Sequence, residues 1–193
     1  MEFEEVNSTG NGTTSTDKWP RWLGTMQKGL AVPDRGATGL QGLFVGSNYV
    51  DTAQYRPSAN SKMNSLFGNA LDTSFNSVSR EKMIMDIWRY VTPIDSTTPA
   101  AGAAPYPTTL TVNVIDPAVI AVDWSVDGDV RLTNGGTTFD VASQALPAGS
   151  HTIVAKAYDN ASRDLVLQVP GSTWGRMNWA RSVQTVTWTV TVP

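Results

Sequence analysis

The chain has 193 residues, a formal net charge of −3 and no cysteine. That length holds one large domain or two small ones, and the missing thiols remove disulfides, thiolate nucleophiles and Cys-based zinc sites. Split at Pro105, the first part carries nine Lys and Arg against ten Asp and Glu and the second five against seven, so neither offers the basic surface that nucleic acid or anionic lipid favours. Hydrophobic residues make up 40% and seven are Trp, enough for packed cores. No apolar run approaches the roughly 20 residues of a membrane span. The acidic start Met1-Glu2-Phe3-Glu4-Glu5 does not resemble a signal peptide and reads as an internal piece with its front removed.

In chain order, a short helix is expected over Trp19–Lys28, with Asp17 as cap and Pro20 in the first turn. From Gly29 to Gly68 no period is sustained, and the stretch reads as loops tied down by aromatics. The clearest helix runs from Ser79 to about Val91. Met83, Ile84, Ile87, Trp88 and Val91 fall on one face, Ser79 caps the start, and Pro93 ends the run. Residues 96–105, small and Pro-punctuated, have the composition of a linker.

The texture then changes. Residues 106–193 contain no Glu and alternate Val, Thr and Trp with polar residues. Strands are expected at Thr109–Ile115, Val119–Val126, Val130–Leu132, Thr138–Val141, Ser150–Tyr158, Leu165–Val169 and Val183–Val192. Asp127-Gly128 and Asn134-Gly135-Gly136 are hairpin turns. That many strands in so short a segment suit a small sandwich without the cysteine pair of antibody domains, held by hydrophobic packing alone.

Chemistry is sparse. The only histidine, His151, enters a strand from a turn, where it reads as a hydrogen-bonding residue rather than a ligand. A protein zinc site needs three or four His, Cys or carboxylate ligands, so no metal site is expected in this chain. No G-x-S-x-G elbow or phosphate-binding loop appears. Asp123, Asp127 and Asp129 sit at a strand end and turn, where acidic residues serve turn geometry or, less often, calcium. Trp174 and Trp179 either cover the end of the sandwich core or stack on sugars. Asn7-Ser8-Thr9, Asn11-Gly12-Thr13 and Asn160-Ala161-Ser162 match the N-glycosylation pattern.

Three segments are more specific than composition: Gly42-Leu43-Phe44-Val45-Gly46-Ser47-Asn48-Tyr49, then Tyr55-Arg56-Pro57-Ser58-Ala59-Asn60-Ser61-Lys62-Met63, then Phe75-Asn76-Ser77-Val78-Ser79-Arg80-Glu81. In order and spacing they resemble the segment after the active-site helix of the IgA-peptidase family of zinc metallopeptidases, including a helix that ends Thr92-Pro93-Ile94-Asp95. The resemblance covers roughly Trp19–Asp95. Ser61, Asn76 and Ser79 stand where that family has cysteines, and Val45 where it has Glu. The H-E-x-x-H helix is missing, and Glu2-Phe3 aligns with the tail of the element that follows it.

The resemblance implies an α+β fragment, the lower subdomain of a peptidase catalytic domain with one long helix plus loops, over residues 1–95. A linker at 96–105 and an immunoglobulin-like β-sandwich over 106–193 follow. Met63 would form the metzincin Met-turn beneath the zinc ligands, Arg56-Pro57 would fix its approach, and Tyr49 and Tyr55 would lie near the cleft. The parent would be a secreted, extracellular zinc endopeptidase acting on protein or peptide substrates, with zinc in the parent and none in this chain, which alone would be inactive. The alternative, from another class, is a non-enzymatic module that contacts cell surfaces, glycans or proteins through the sandwich.

Overall fold

The computed structural model describes residues 8–10, 19, 22–24, 41–58, 75–162 and 180–193. The chain divides into two compact units, residues 1–86 with 164–175, and residues 87–163 with 176–193. The expected α+β peptidase fragment of one long helix plus loops, followed by a separate immunoglobulin-like sandwich, is overturned. The described residues are mostly strand, arranged in three sheets, with a single α-helix of 11 residues. The expected helix at Trp19–Lys28, the strand at Leu165–Val169, and Met63, Trp174 and Trp179 lie outside the described residues, apart from Trp19 and 22–24.

In the first unit, residues expected as loop form an antiparallel hairpin of β1 (Phe44–Ser47) and β2 (Val50–Arg56). It escapes a period-two reading because most of β2 is exposed on both faces, so no apolar alternation marks it. The helix α1 spans Ser77–Ile87. Its cap is Asn76 rather than Ser79: the Asn76 Oδ1 accepts the Ser79 N–H at 2.9 Å, and the helical ladder starts at Arg80 N–H to Asn76 O, 3.0 Å. The buried stripe is Val78, Glu81 and Met85, while Met83 and Ile87 of the expected face are 40% and 57% exposed. The rotation has a tertiary cause. The Trp22 indole N–H donates to the Glu81 carboxyl at 2.7 Å, which turns a polar position inward, and Trp19, Trp22 and Val78 pack with Leu23 and Leu43.

The helix stops at Ile87 because the chain tightens there and then meets Pro93. The Tyr90 and Val91 N–H groups both donate to Ile87 O, and the residue before a proline is driven to extended backbone. Ile94-Asp95 therefore opens a strand, β3 (Ile94–Thr98), instead of ending a helix, and β4 (Gly102–Ala104) follows within the segment expected as a linker.

The second unit holds β3 and β4 together with β5 (Thr109–Val114), β6 (Ile120–Val126), β7 (Asp129–Leu132), β8 (Thr138–Asp140), β9 (Gly149–Asp159) and β10 (Val183–Val192). One sheet runs β3-β5-β8, the other β4-β10-β9-β6-β7. All neighbours are antiparallel except β4, which lies parallel to β10 with Trp188 opposite Gly102. The chain thus changes sheet between β3 and β4, and residues 94–104 contribute an edge strand to each sheet. Period-two patterning sorts the side chains. Ile153, Ala155 and Ala157 of β9 and Trp188 and Val190 of β10 are buried, as are Leu110 and Val112 of β5. Trp124 of β6 stacks on Phe139 of the facing sheet at 5.1 Å and on Trp188 of its own at 5.9 Å. Its indole N–H is satisfied by Gly136 O at 2.9 Å, and that of Trp188 by Pro99 O at 3.1 Å.

Removing this stack leaves a large void between the sheets. Trp124→Ala is expected to destabilise the chain by about 3–5 kcal/mol, read as a lowered urea midpoint. Asn76→Ala is expected to cost about 1 kcal/mol. Equal effects of the two would show that the sandwich does not depend on Trp124.

Candidate functional site

Of the residues singled out by the resemblance, Tyr49, Tyr55, Arg56 and Pro57 lie on or next to the β1–β2 hairpin, and Met63 lies outside the described residues. The Arg56 guanidinium folds back along β1 and donates through Nη1 to the carbonyls of both Val45 and Gly46. Gly46 is needed there, since its φ is +89° and an added Cβ would stand 3.2 Å from Arg56 Nη1. Pro57 O accepts the Gly42 N–H at 2.8 Å, and Gly42 O accepts the Trp19 indole N–H at 3.0 Å, so the entry and exit of the hairpin are joined. Thr9 pairs with Tyr55 in both directions, at 3.0 and 2.8 Å, which covers the outer edge of β2. Beneath that pairing, the Ser8 and Ser47 hydroxyls are 2.6 Å apart, and Ser47 Oγ donates to Tyr55 O at 3.2 Å.

The two tyrosines do not share a cleft. Tyr55 is half-buried near the base of β2, while Tyr49 stands fully exposed at the turn. Asn48 and Tyr49 have φ of 50° and 62°, as both central residues of a type I′ turn require. The same chain builds an equivalent turn with Asp127 and Gly128, at φ of 52° and 92°, where glycine relieves the second position. At Tyr49 an aromatic residue occupies the left-handed region that glycine normally fills, with Val45 and Val50 exposed beside it.

The second unit gathers a polar group that the sequence reading kept apart. His151 is the inward-facing residue at the start of β9, and Asp127 lies in the β6–β7 turn. Their side chains meet at 2.7 Å, His151 Nδ1 to Asp127 Oδ2, and His151 Nε2 lies 2.8 Å from Pro147 O. Asp127 Oδ1 also accepts the Thr152 N–H at 2.8 Å. The Asp127 hydrogen bond, and then the Pro147 carbonyl, hold the imidazole pKa above its ordinary value. The bond from His151, and then that from the Thr152 amide, push the Asp127 carboxyl below its ordinary value. Asp123 accepts from the Tyr158 hydroxyl at 3.1 Å and the Asn134 amide at 2.9 Å, and buried Asp159 from the Trp88 indole at 3.0 Å. Asp129 stands exposed at the start of β7.

The buried Trp22–Glu81 and Trp88–Asp159 pairs were missed in sequence because each joins residues 59 or 71 positions apart. No local pattern announces such a pairing. Among the described residues, no three His, Cys, Asp or Glu side chains converge to hold a metal ion. No helix among them is long and apolar enough to cross a membrane.

No family model and no curated protein matches the chain. Among solved structures it is similar to SGBP-B of the mixed-linkage glucan utilization locus of Bacteroides ovatus, in complex with a mixed-linkage heptasaccharide. The identity is 13% and the TM-score 0.29, over 53% of this chain and 22% of that one. A likeness that slight assigns neither a fold nor a function.

The left-handed Tyr49 makes the hairpin less stable than it needs to be. Tyr49→Gly is expected to raise stability by about 1 kcal/mol, seen as a higher urea midpoint for the first unit. A lowered midpoint would mean that the exposed ring supports the fold.

Proposed function

We propose that this chain is the C-terminal portion of a secreted zinc endopeptidase of the IgA-peptidase type and serves there as scaffold. One observation supports the reading: the described parts of the three segments on which the resemblance rests lie in one compact unit, the first two bonded to each other and the third packed with Trp19, Trp22 and Leu43 through Val78. Gly42–Tyr49 and Tyr55–Pro57 supply the two arms of one hairpin, closed by Arg56 and by the Gly42–Pro57 bond. Phe75–Glu81 supplies the Asn76 cap and the inward Glu81 of α1. Arg56, Pro57, Asn76 and Glu81 thus have structural tasks, which supports a scaffold role for these segments.

Zinc does not fit the described residues. The lone imidazole has an acceptor at each nitrogen, and among the described residues no third ligand side chain joins it and Asp127. In this reading the metal ligands and the general base belong to an H-E-x-x-H helix elsewhere in the parent. The hairpin and α1 hold structure without touching reacting atoms, and the substrate is a protein or peptide.

A second reading, a non-enzymatic module that contacts glycans or cell surfaces, is favoured by the outer face of the five-stranded sheet. Thr185, Thr187, Thr189 and Thr191 form an exposed row on β10, and on β9 the Lys156 ammonium sits 5.8 Å from the Tyr158 ring centroid. Such a flat face, rich in hydroxyls, suits a polyhydroxylated ligand.

The purified 193-residue chain is expected to keep no stoichiometric zinc after dialysis and to cleave no peptide, while the reading frame upstream of Met1 continues into H-E-x-x-H. One tightly bound zinc per chain, or a stop codon just ahead of Met1, would sink the peptidase reading. The second reading instead requires saturable retention of a soluble polysaccharide that weakens in a Thr187→Ala/Thr189→Ala variant.

A further inference from the structure

We infer that His151 is a pH-dependent clamp: protonated, it ties the loop ahead of β9 to the β6–β7 turn, and deprotonated, it releases that loop. The inference rests on what each partner can offer. The Asp127 carboxylate accepts only, and so does the Pro147 carbonyl, yet they face the two nitrogens of one ring at 2.7 and 2.8 Å. Only the doubly protonated imidazole donates to both. Once neutral, the ring keeps one N–H, and the stronger, charge-assisted bond to Asp127 holds it at Nδ1. The Nε2 lone pair then faces the Pro147 oxygen, and that contact turns from attraction to repulsion.

What moves follows from the remaining bonds. The β6–β7 turn stays on β9 in either state, because Asp127 N–H donates to Thr152 O and Thr152 N–H to Asp127 Oδ1, both at 2.8 Å and neither through the imidazole. Among the described residues the loop makes no second hydrogen bond to that turn. Ala145, Pro147 and Ala148 are exposed, and among the described residues the contact at Pro147 O is what joins residues 146–148 to the turn.

Among the described residues, two charged groups act at the ring. Asp127 faces it from the turn, and Arg131 of β7 acts on Asp127. On β10 the residue opposite is Val190, which carries no charge.

The sign follows from the two displaced pKa values. A histidine raised in the folded state contributes fully below its unfolded value of about 6.5 and loses that contribution as pH rises through the higher folded value. Asp127, displaced downward, contributes above its unfolded value of about 3.9 and fails only as pH falls through its lower folded value. The clamp is therefore closed in mild acid and opens on the alkaline side.

The chain's single histidine makes the test direct. In NMR of the full chain, the one imidazole is expected to titrate with a midpoint above about 6.5. At that same midpoint the backbone order parameters of Leu146 and Ala148 should fall, while the hydrogen-bonded Asp127 and Thr152 amides stay protected from exchange. Asp127→Asn removes the charge and should bring the midpoint back toward the ordinary value. His151→Gln should abolish the pH dependence at Leu146 and Ala148. A midpoint at or below about 6.5 overturns the inference, as do Leu146 and Ala148 order parameters that stay flat through the titration. The Asp127→Asn arm decides even if the His151 variant fails to fold.

Discussion

The second unit depends on one packed contact, the Trp124 ring held between Phe139 and Trp188. With no cysteine to staple the sheets, cohesion has to come from burial, and large flat side chains in offset stacks supply the most area per residue. The contact also demands that the indole N–H be satisfied inside the core. The Gly136 carbonyl does this for Trp124 and the Pro99 carbonyl for Trp188. Two loops are thereby fixed by the core rather than by their own composition: the one between β7 and β8 and the one between β3 and β4. The change of sheet at residues 99–101, which reads as a linker, is in this sense a product of Trp188.

The first unit is held differently. Its hairpin buries little, and its shape comes from polar bonds that cross between segments: Arg56 to two carbonyls of β1, Thr9 to Tyr55, Gly42 to Pro57, Trp22 to Glu81. Each such bond is modest by itself, since water competes for the same groups, but an unmade partner in a buried position costs more than the bond gains. Glu81 and Asn76 are buried and hydrogen-bonded, and both serve the scaffold. Tyr49 stands apart from that economy, as an aromatic ring in a backbone region where Asp127-Gly128 shows the chain using glycine. A residue that breaks a local rule without a packing gain is where contact with another molecule is to be sought.

Among the longer strands legibility followed burial, while β7, exposed throughout, was marked by the turn residues on either side of it. Strands β5, β6, β9 and β10 could be placed within a residue or two because one face of each is buried, so apolar and polar residues alternate in the sequence itself. The β1–β2 hairpin has most of β2 in solvent and no such signature, and it was expected as loop. Helix α1 was legible as a helix but not in its face or its cap. Five apolar residues within reach of one another suggested a stripe through Met83 and Ile87, whereas Trp22, far away in sequence, drew Glu81 inward instead. The α+β reading failed for the same reason: it counted a helix that was visible and missed strands that were not.

The sequence alone determined that thiol chemistry is absent, that one imidazole is all the chain has, and that its later part is built from half-buried strands. These are matters of inventory and of period, and both are written along the chain. Only the tertiary structure decided that His151 sits between Asp127 and Pro147, that Arg56 closes the hairpin on itself, and that residues 94–104 add an edge to each sheet. Each of those is a pairing across space, set by which distant donor meets which acceptor once the core has closed, and no local pattern carries it.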